Sequence, residues 1–228
     1  MRLDKYLADM SLGTRSEVKD LIRKGKITVN EKTVKDASYQ VKDSDIIACE
    51  GQEVSYVEYE YYLLNKPQGY ICALEDKRYP VIMELITSRR KDLVPVGRLD
   101  LDTEGAILIT NDGQLNHFLL SPKNHVPKTY YAETDAPIPE TAVAEFEKGM
   151  DLGDFRSAPA QLKILGEKKA ELTIHEGKFH QVKRMFEKVG CTVTFLKRLR
   201  FGPLDLQGLP TGEFRRLSRE EIEVLKTR

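Results

Sequence analysis

The 228-residue chain contains no tryptophan, so it offers no indole platform for stacking a sugar. It has three cysteines, Cys49, Cys72 and Cys191, which stand far apart. An odd, scattered set suggests neither a disulfide framework nor a zinc site and points to a reducing cytoplasm. The four histidines, His117, His125, His175 and His180, have no ligand spacing with those cysteines, so no bound metal is expected. No apolar run approaches the roughly 20 residues needed to span a bilayer. The opening Met1-Arg2-Leu3-Asp4-Lys5-Tyr6 lacks the apolar core of a secretory leader. Walker-type loops, dinucleotide glycine fingerprints, low-complexity tracts and short-period repeats are also missing. Lys plus Arg and Asp plus Glu number 36 each, for a formal charge of zero. That argues against indiscriminate polyanion binding but leaves room for local cationic surfaces.

Apolar residues make up 40% and charged residues 32%, a balance suited to one or two globular domains. Leu3, Tyr6, Leu7 and Met10 are spaced for a short amphipathic helix. Thr14 and Glu17 fit a capping box opening a second helix, with Val18, Leu21 and Ile22 inward and Gly25 at its end. Arg15, Lys19 and Arg23 recur every fourth residue and line another face. Short strands follow at 27–29 and 45–49. The acidic, aperiodic stretch 50–60 reads as a linker, which separates a domain at 1–55 from a larger one at 60–228. In the larger domain, strands are expected at 61–65, 70–74, 106–110, 127–134, 162–165, 171–174 and 192–196. Helices are expected near 81–86, after Gly113, after Pro139, at 182–189 and after Ser218.

The stretch GRLDLDTEG at 97–105 organises the rest. Asp100 and Asp102 stand two apart, so an extended segment would turn both carboxylates to one side. The apolar run Ala106-Ile107-Leu108-Ile109-Thr110 follows, as a buried strand would. Charged residues set against a buried strand are a common place to hold a catalytic acid. Lys178 to Arg200 contains seven Lys or Arg and one acidic residue, the clearest basic stretch in the chain.

GRLDLDTEG followed by AILITNDG resembles the signature of the pseudouridine synthases, in the branch that modifies small-subunit (16S) ribosomal RNA. NKPQGY at 65–70 resembles the family's opening motif, Lys128-Thr129-Tyr130 its second, and EGKFHQVKRMF at 176–186 its third. The two-helix head resembles the RNA-binding domain of the ribosomal protein S4 type. The resemblance implies an α+β catalytic domain with a mixed, largely antiparallel sheet behind a small N-terminal α/β RNA-binding domain. It implies an isomerase that breaks the bond between uracil nitrogen and ribose, turns the base over and rejoins it through a ring carbon. No redox change occurs, so no cofactor is needed.

Under that resemblance Asp100 is the catalytic carboxylate, by covalent attack or by assisting departure of the base. Tyr130 stacks on the uracil, and Lys183, with Arg184 as second candidate, keeps the aspartate ionised. Arg98 fills the gap left by a flipped base or holds a phosphate. Arg184, Lys178, His180, Lys66, Arg15, Lys19 and Arg23 are candidate RNA contacts, and Asp102 is a structural partner. The expected partner is ribosomal RNA, either as naked RNA or as an assembly intermediate carrying ribosomal proteins, met by a monomer in the cytoplasm with no membrane involved. Two other readings fit parts of the sequence. One is a non-catalytic ribosome assembly factor of the same fold. The other is a glycosidase using Asp100 and Asp102, which is disfavoured because a neighbouring pair on one strand is not the usual opposed pair.

Overall fold

The structure is a computed structural model that describes residues 1–88 and 90–227. The chain divides into two compact units, one of Met1–Tyr59 with Thr87–Leu93, the other of Glu60–Ile86 with Val94 onward.

In the first unit, α1 (Leu3–Asp9) and α2 (Arg15–Arg23) pack on a four-stranded sheet. Its strands are β1 (Ile27–Val29), β2 (Lys32–Thr33), β3 (Ile47–Cys49) and β4 (Gln52–Glu53), in the order β2-β1-β3-β4. The spacing of Leu3, Leu7, Val18 and Ile22 puts all four side chains in one core with Ile27, Val29 and Ile47. Both bonds of the Thr14–Glu17 capping box form. The expected linker needs correction. β4 pairs with β3, Val54 lies in the core, and the Tyr56 hydroxyl donates to Asp9. Acidic composition concealed a two-residue strand whose side chains face solvent. Segment 87–93 also belongs here, held by the Arg90 guanidinium donating to the Val57 carbonyl.

The second unit is built on one mixed sheet in the order β13-β5-β7-β11-β8-β10-β9. The ranges are β5 (Tyr61–Lys66), β7 (Thr103–Thr110), β8 (Lys128–Thr134), β9 (Gln161–Gly166), β10 (Lys169–Ile174), β11 (Val193–Phe201) and β13 (Phe214–Arg216). Two short strands, β6 (Val94–Pro95) and β12 (Leu204–Asp205), pair with β7 and β11. Every pairing is antiparallel except β7 with β11. β5 is buried at all six positions and β7 at seven of eight, as continuous apolar runs in a sheet covered on both faces should be. One face carries a core of Leu63, Leu108 and Phe201 with Leu115 and Leu119 of α3 (Gly113–Leu120) and Leu225 of α6 (Arg219–Lys226). Asp112 caps α3 by accepting from the Leu115 amide, and Ser218 with Glu221 forms the capping box of α6. α4 (Thr141–Lys148) and α5 (Gln181–Lys188) meet through Phe146 and Phe186.

Two local expectations fail. Residues 70–74 form no strand, because only Ile71 finds a bridge, to Val81. Residues 97–102 form no strand, although Asp100 and Asp102 both reach Lys183. The chain turns at Leu101-Asp102, and the Thr103 amide donates back to the Asp100 carbonyl.

Candidate active site

The loop 97–102 enters β7 at the parallel junction with β11, and Gly105 makes that junction possible. Its φ is +111°, and a Cβ there would lie 2.2 Å from the Arg198 carbonyl oxygen. Only glycine lets the two backbones come so close. The loop is then tied from below by the NKPQG segment. Lys66 is wholly buried, and its ammonium donates to the carbonyls of Pro67, Asp100 and Thr103 at 3.0, 2.9 and 2.8 Å. The Gly69 amide donates to the Leu101 carbonyl, and the Leu99 amide meets the Cys72 sulfur at 3.2 Å. Asp100 therefore projects from a backbone with very little freedom.

The third motif arrives from the other side. His180 takes a left-handed conformation (φ 50°) at the start of α5. Gln181 is buried, accepts from the Lys178 amide and donates to Glu176 at 2.6 Å, which braces the turn. Lys183, one turn into α5, then faces the aspartates. Its ammonium lies 3.4 Å from Asp100 and 2.6 and 2.8 Å from the two oxygens of Asp102. His180 Nε2 lies 3.6 Å from Asp100. Burial opposes ionisation of Asp102, but the hydrogen bonds and charge of Lys183 outweigh it and hold that carboxyl below its ordinary value. Tyr130, buried on β8, lines the same cleft as Asp100 and Lys183. These three side chains come together from three separate elements although they are far apart in the chain.

The RNA candidates divide. Arg98 is exposed at the cleft and Lys178 borders it. Lys178 sits 4.1 Å over the Phe155 ring and 3.6 Å from Glu176. Arg15, Lys19 and Arg23 are exposed along α2 of the first unit. Lys66 must be withdrawn as an RNA contact, because all its donors are spent on backbone carbonyls inside the fold. Arg184 is withdrawn as well. Its guanidinium is fastened to Asp154 and the Leu152 carbonyl and stacks on Phe155. The basic stretch 178–200 is not one continuous cationic surface, although Lys178, Lys188 and Arg200 are exposed. Lys197 pairs with Glu104 and Arg200 with Glu171, while Arg198 is 2% exposed. Alternation along β11 sends some of these cations inward.

Sequence reasoning passed over three residues here. Lys128 and Arg198 line the cleft from within the sheet, and Phe179, 70% exposed, stacks on His180 with ring centres 3.8 Å apart. Lys128 stands in the Lys128-Thr129-Tyr130 motif, but nothing in the sequence indicates its depth. Among the described residues no group of three or more His, Cys, Asp or Glu side chains is placed to hold a metal ion. No described helix is long and apolar enough to cross a membrane.

Asp100, Lys183 and Tyr130 line one cleft of a mixed sheet whose parallel junction is β7 with β11. The model of the RNA pseudouridylate synthases matches residues 60–188, and that of the S4 domain residues 1–47. The chain is 42% identical to a Bacillus subtilis protein named an uncharacterized RNA pseudouridine synthase, across 99% of this chain and 98% of that one. It is 38% identical to the ribosomal small subunit pseudouridine synthase A of Vibrio cholerae, across 97% and 98%. It is also 38% identical to the ribosomal large subunit pseudouridine synthase B of Bacillus subtilis, across 99% and 95%. A crystal structure of a pseudouridylate synthase superposes with a TM-score of 0.70 at 38% identity, covering 99% of each chain. The chain belongs to the RNA pseudouridine synthase family, whose members isomerise uridine in RNA, and it carries an S4 RNA-binding domain.

Proposed function

We propose that this enzyme converts one uridine of small-subunit ribosomal RNA to pseudouridine, with Asp100 as the reacting carboxylate. The observation that carries the reading is the meeting of Asp100, Lys183 and Tyr130 in one cleft. In this scheme the target base leaves its stack and enters the cleft over Tyr130. Asp100 faces the anomeric carbon, either attacking it or steadying its positive charge while the base departs. The glycosidic nitrogen–carbon bond breaks with its electron pair on the ring. The base turns, ring carbon C5 takes the anomeric carbon, and the C5 proton leaves while the former glycosidic nitrogen gains one. Lys183 holds the carboxylates of Asp100 and Asp102 in place. Arg98 fills the gap in the RNA, Lys178 and His180 steady its backbone, and Arg15, Lys19 and Arg23 follow phosphates elsewhere on the substrate.

Relatives named for the small subunit support the choice of RNA, and the large-subunit relative of equal identity supports a second reading. An enzyme acting on ribosomal RNA works where ribosomes are made, so we place it in the cytoplasm as a monomer. Pseudouridine should be mapped in both ribosomal RNAs from cells with the gene, without it, and with Asp100→Asn. Loss of one small-subunit site in the last two strains is expected. A lost large-subunit site would move the target, and full modification with Asp100→Asn would remove that residue from the chemistry.

A further inference from the structure

Two cations lie at the back of the cleft with no ion-pair partner among the described residues. Arg198 is 2% exposed, and its guanidinium donates through Nε to the Ala106 carbonyl at 2.6 Å. Its Nη2 is buried and has no hydrogen-bond partner among the described residues. Lys128 is 9% exposed, and its ammonium donates to the Val126 carbonyl at 2.8 Å. Both sit against the Phe201 ring, at 5.5 Å for Lys128 and 5.0 Å for Arg198. Neither forms an ion pair among the described residues. Glu176 is the acid that acts on Lys128 at a distance, and it is already committed to Ala158, Gln181 and Lys178. Leaving buried charge uncompensated is costly for a fold. Such a cost persists where a charge arrives later, during the reaction.

We propose that Lys128 and Arg198 are catalytic residues that bind the carbonyl oxygens of the detached uracil and stabilise the negative charge it carries between bond cleavage and bond formation. When the nitrogen–carbon bond breaks, its electron pair spreads over the ring nitrogen and the two carbonyl oxygens. Donors aimed at those oxygens lower the cleavage barrier and hold the free base while it turns. The pair also discriminates by charge, since a base that departs without taking up negative charge gains nothing from it. The inference rests on the reading that isomerisation occurs in the Asp100 cleft. Asp100→Asn tests that reading separately.

The state of Lys128 supplies a second readout. Desolvation, followed by the charge of Arg198, brings its pKa down to about 8. The charges that act on it are Arg198 from β11 and Glu176 from the segment before α5, and Arg98, Asp100, Lys178, His180, Lys183 and Tyr130 line the same cleft. The group is a cation below about pH 8 and neutral above. If the cation is the working form, the chemical step slows as pH rises through that value.

Single-turnover conversion of a ribosomal RNA fragment measures the step. Lys128→Met should slow it about a hundredfold with fragment affinity within about twofold. Lys128→Arg should keep the rate within about tenfold and lose the decline above pH 8, because guanidinium stays charged. Arg198→Lys should fall between the two. A 5-fluorouridine fragment, whose departing ring carries negative charge more easily, should shrink the Lys128→Met defect at the cleavage step. If Lys128→Met does not fold, the parent and Lys128→Arg pH profiles decide the matter. A parent rate flat from pH 7 to 9, or a Lys128→Arg profile that keeps the decline, overturns the proposal. So does a Lys128→Met variant that reacts at the parent rate.

Discussion

Cations on α2 and cations buried beneath and beside the loop 97–102 are the same residue types put to opposite uses. Arg15, Lys19 and Arg23 stand in solvent at four-residue spacing, and Arg23 leans on Asp20 at 3.3 Å. Lys66 and Arg198 are inside the second unit, hydrogen-bonded to backbone carbonyls. A solvated cation is available to a polyanion and contributes almost nothing to the fold. A buried cation bonded to carbonyls shapes the backbone around it and has nothing left to offer RNA except at an empty donor. The difference shows that cation counts along a chain do not locate an RNA surface. Depth decides which role a lysine takes.

The largest effect expected from this contrast is at Lys66. Lys66→Met keeps the aliphatic stem but leaves three carbonyls short of a donor, that of Thr103 buried and those of Pro67 and Asp100 partly so. A loss of about 3–5 kcal/mol in denaturant unfolding is expected, with activity lost at temperatures where the variant is still folded. A change under about 1 kcal/mol would mean that the loop holds itself. Next comes Gly105→Ala. A methyl group 2.2 Å from the Arg198 carbonyl oxygen must push β7 and β11 apart, at a cost of about 3 kcal/mol or more. The rate should fall further than stability alone explains, since Arg198 moves with its strand.

A smaller effect sharpens the same contrast for an anion. Asp112 is buried, caps α3, and accepts from the Tyr61 hydroxyl at 2.8 Å. Burial alone would raise its pKa, but the Leu115 amide, the Tyr61 hydroxyl and Lys226 together hold it below the ordinary carboxylate value. The stability this gives is therefore present above the unfolded value near 4 and is lost as pH falls through the folded one. Asp112→Asn, which keeps a good cap, should cost about 1–2 kcal/mol at pH 7. The gap to the parent should close as the solution is acidified below about pH 4. A gap independent of pH would assign the effect to packing.

The meeting of Asp100, Tyr130 and Lys183 in one cleft was legible in the sequence because each stood in a motif of fixed order, Lys183 by its position two residues after Gln181. Buried runs such as 106–110 were legible because apolar continuity leaves few alternatives. β4 was not, since two paired residues leave no period. The turn at 101–102 was not, because Asp-Leu-Asp alternates like a strand until the Thr103 amide is seen closing on Asp100. Lys66, Lys128 and Arg198 were misread or passed over for one reason. Their depth depends on which strands flank them, and β7 beside β11 is a parallel pairing between distant segments that no local pattern announces.

The smallest expected change in stability is at the exposed end of the comparison. Replacing Arg15, Lys19 and Arg23 by Gln should move stability by no more than about 0.5 kcal/mol, since surface charges with loose partners contribute little. RNA binding is where the loss should appear. Each phosphate neutralised releases counterions, so three lost contacts should flatten the slope of log affinity against log salt by about two to three. The single variants should not be equal. Arg23 is shared with Asp20 and releases fewer counterions on meeting a phosphate. Arg15 and Lys19 border a groove with Lys5 and with Arg2, which is paired to Asp4, so that Arg15, Lys19 and Lys5 can act together on one stretch of RNA backbone. Arg15→Gln and Lys19→Gln should each lower the slope by about one, and Arg23→Gln by less. Equal small losses at all three would mean that α2 acts only through the general field of the domain. An unchanged slope in the triple variant would take α2 off the RNA surface and leave affinity to the exposed cations around the catalytic cleft.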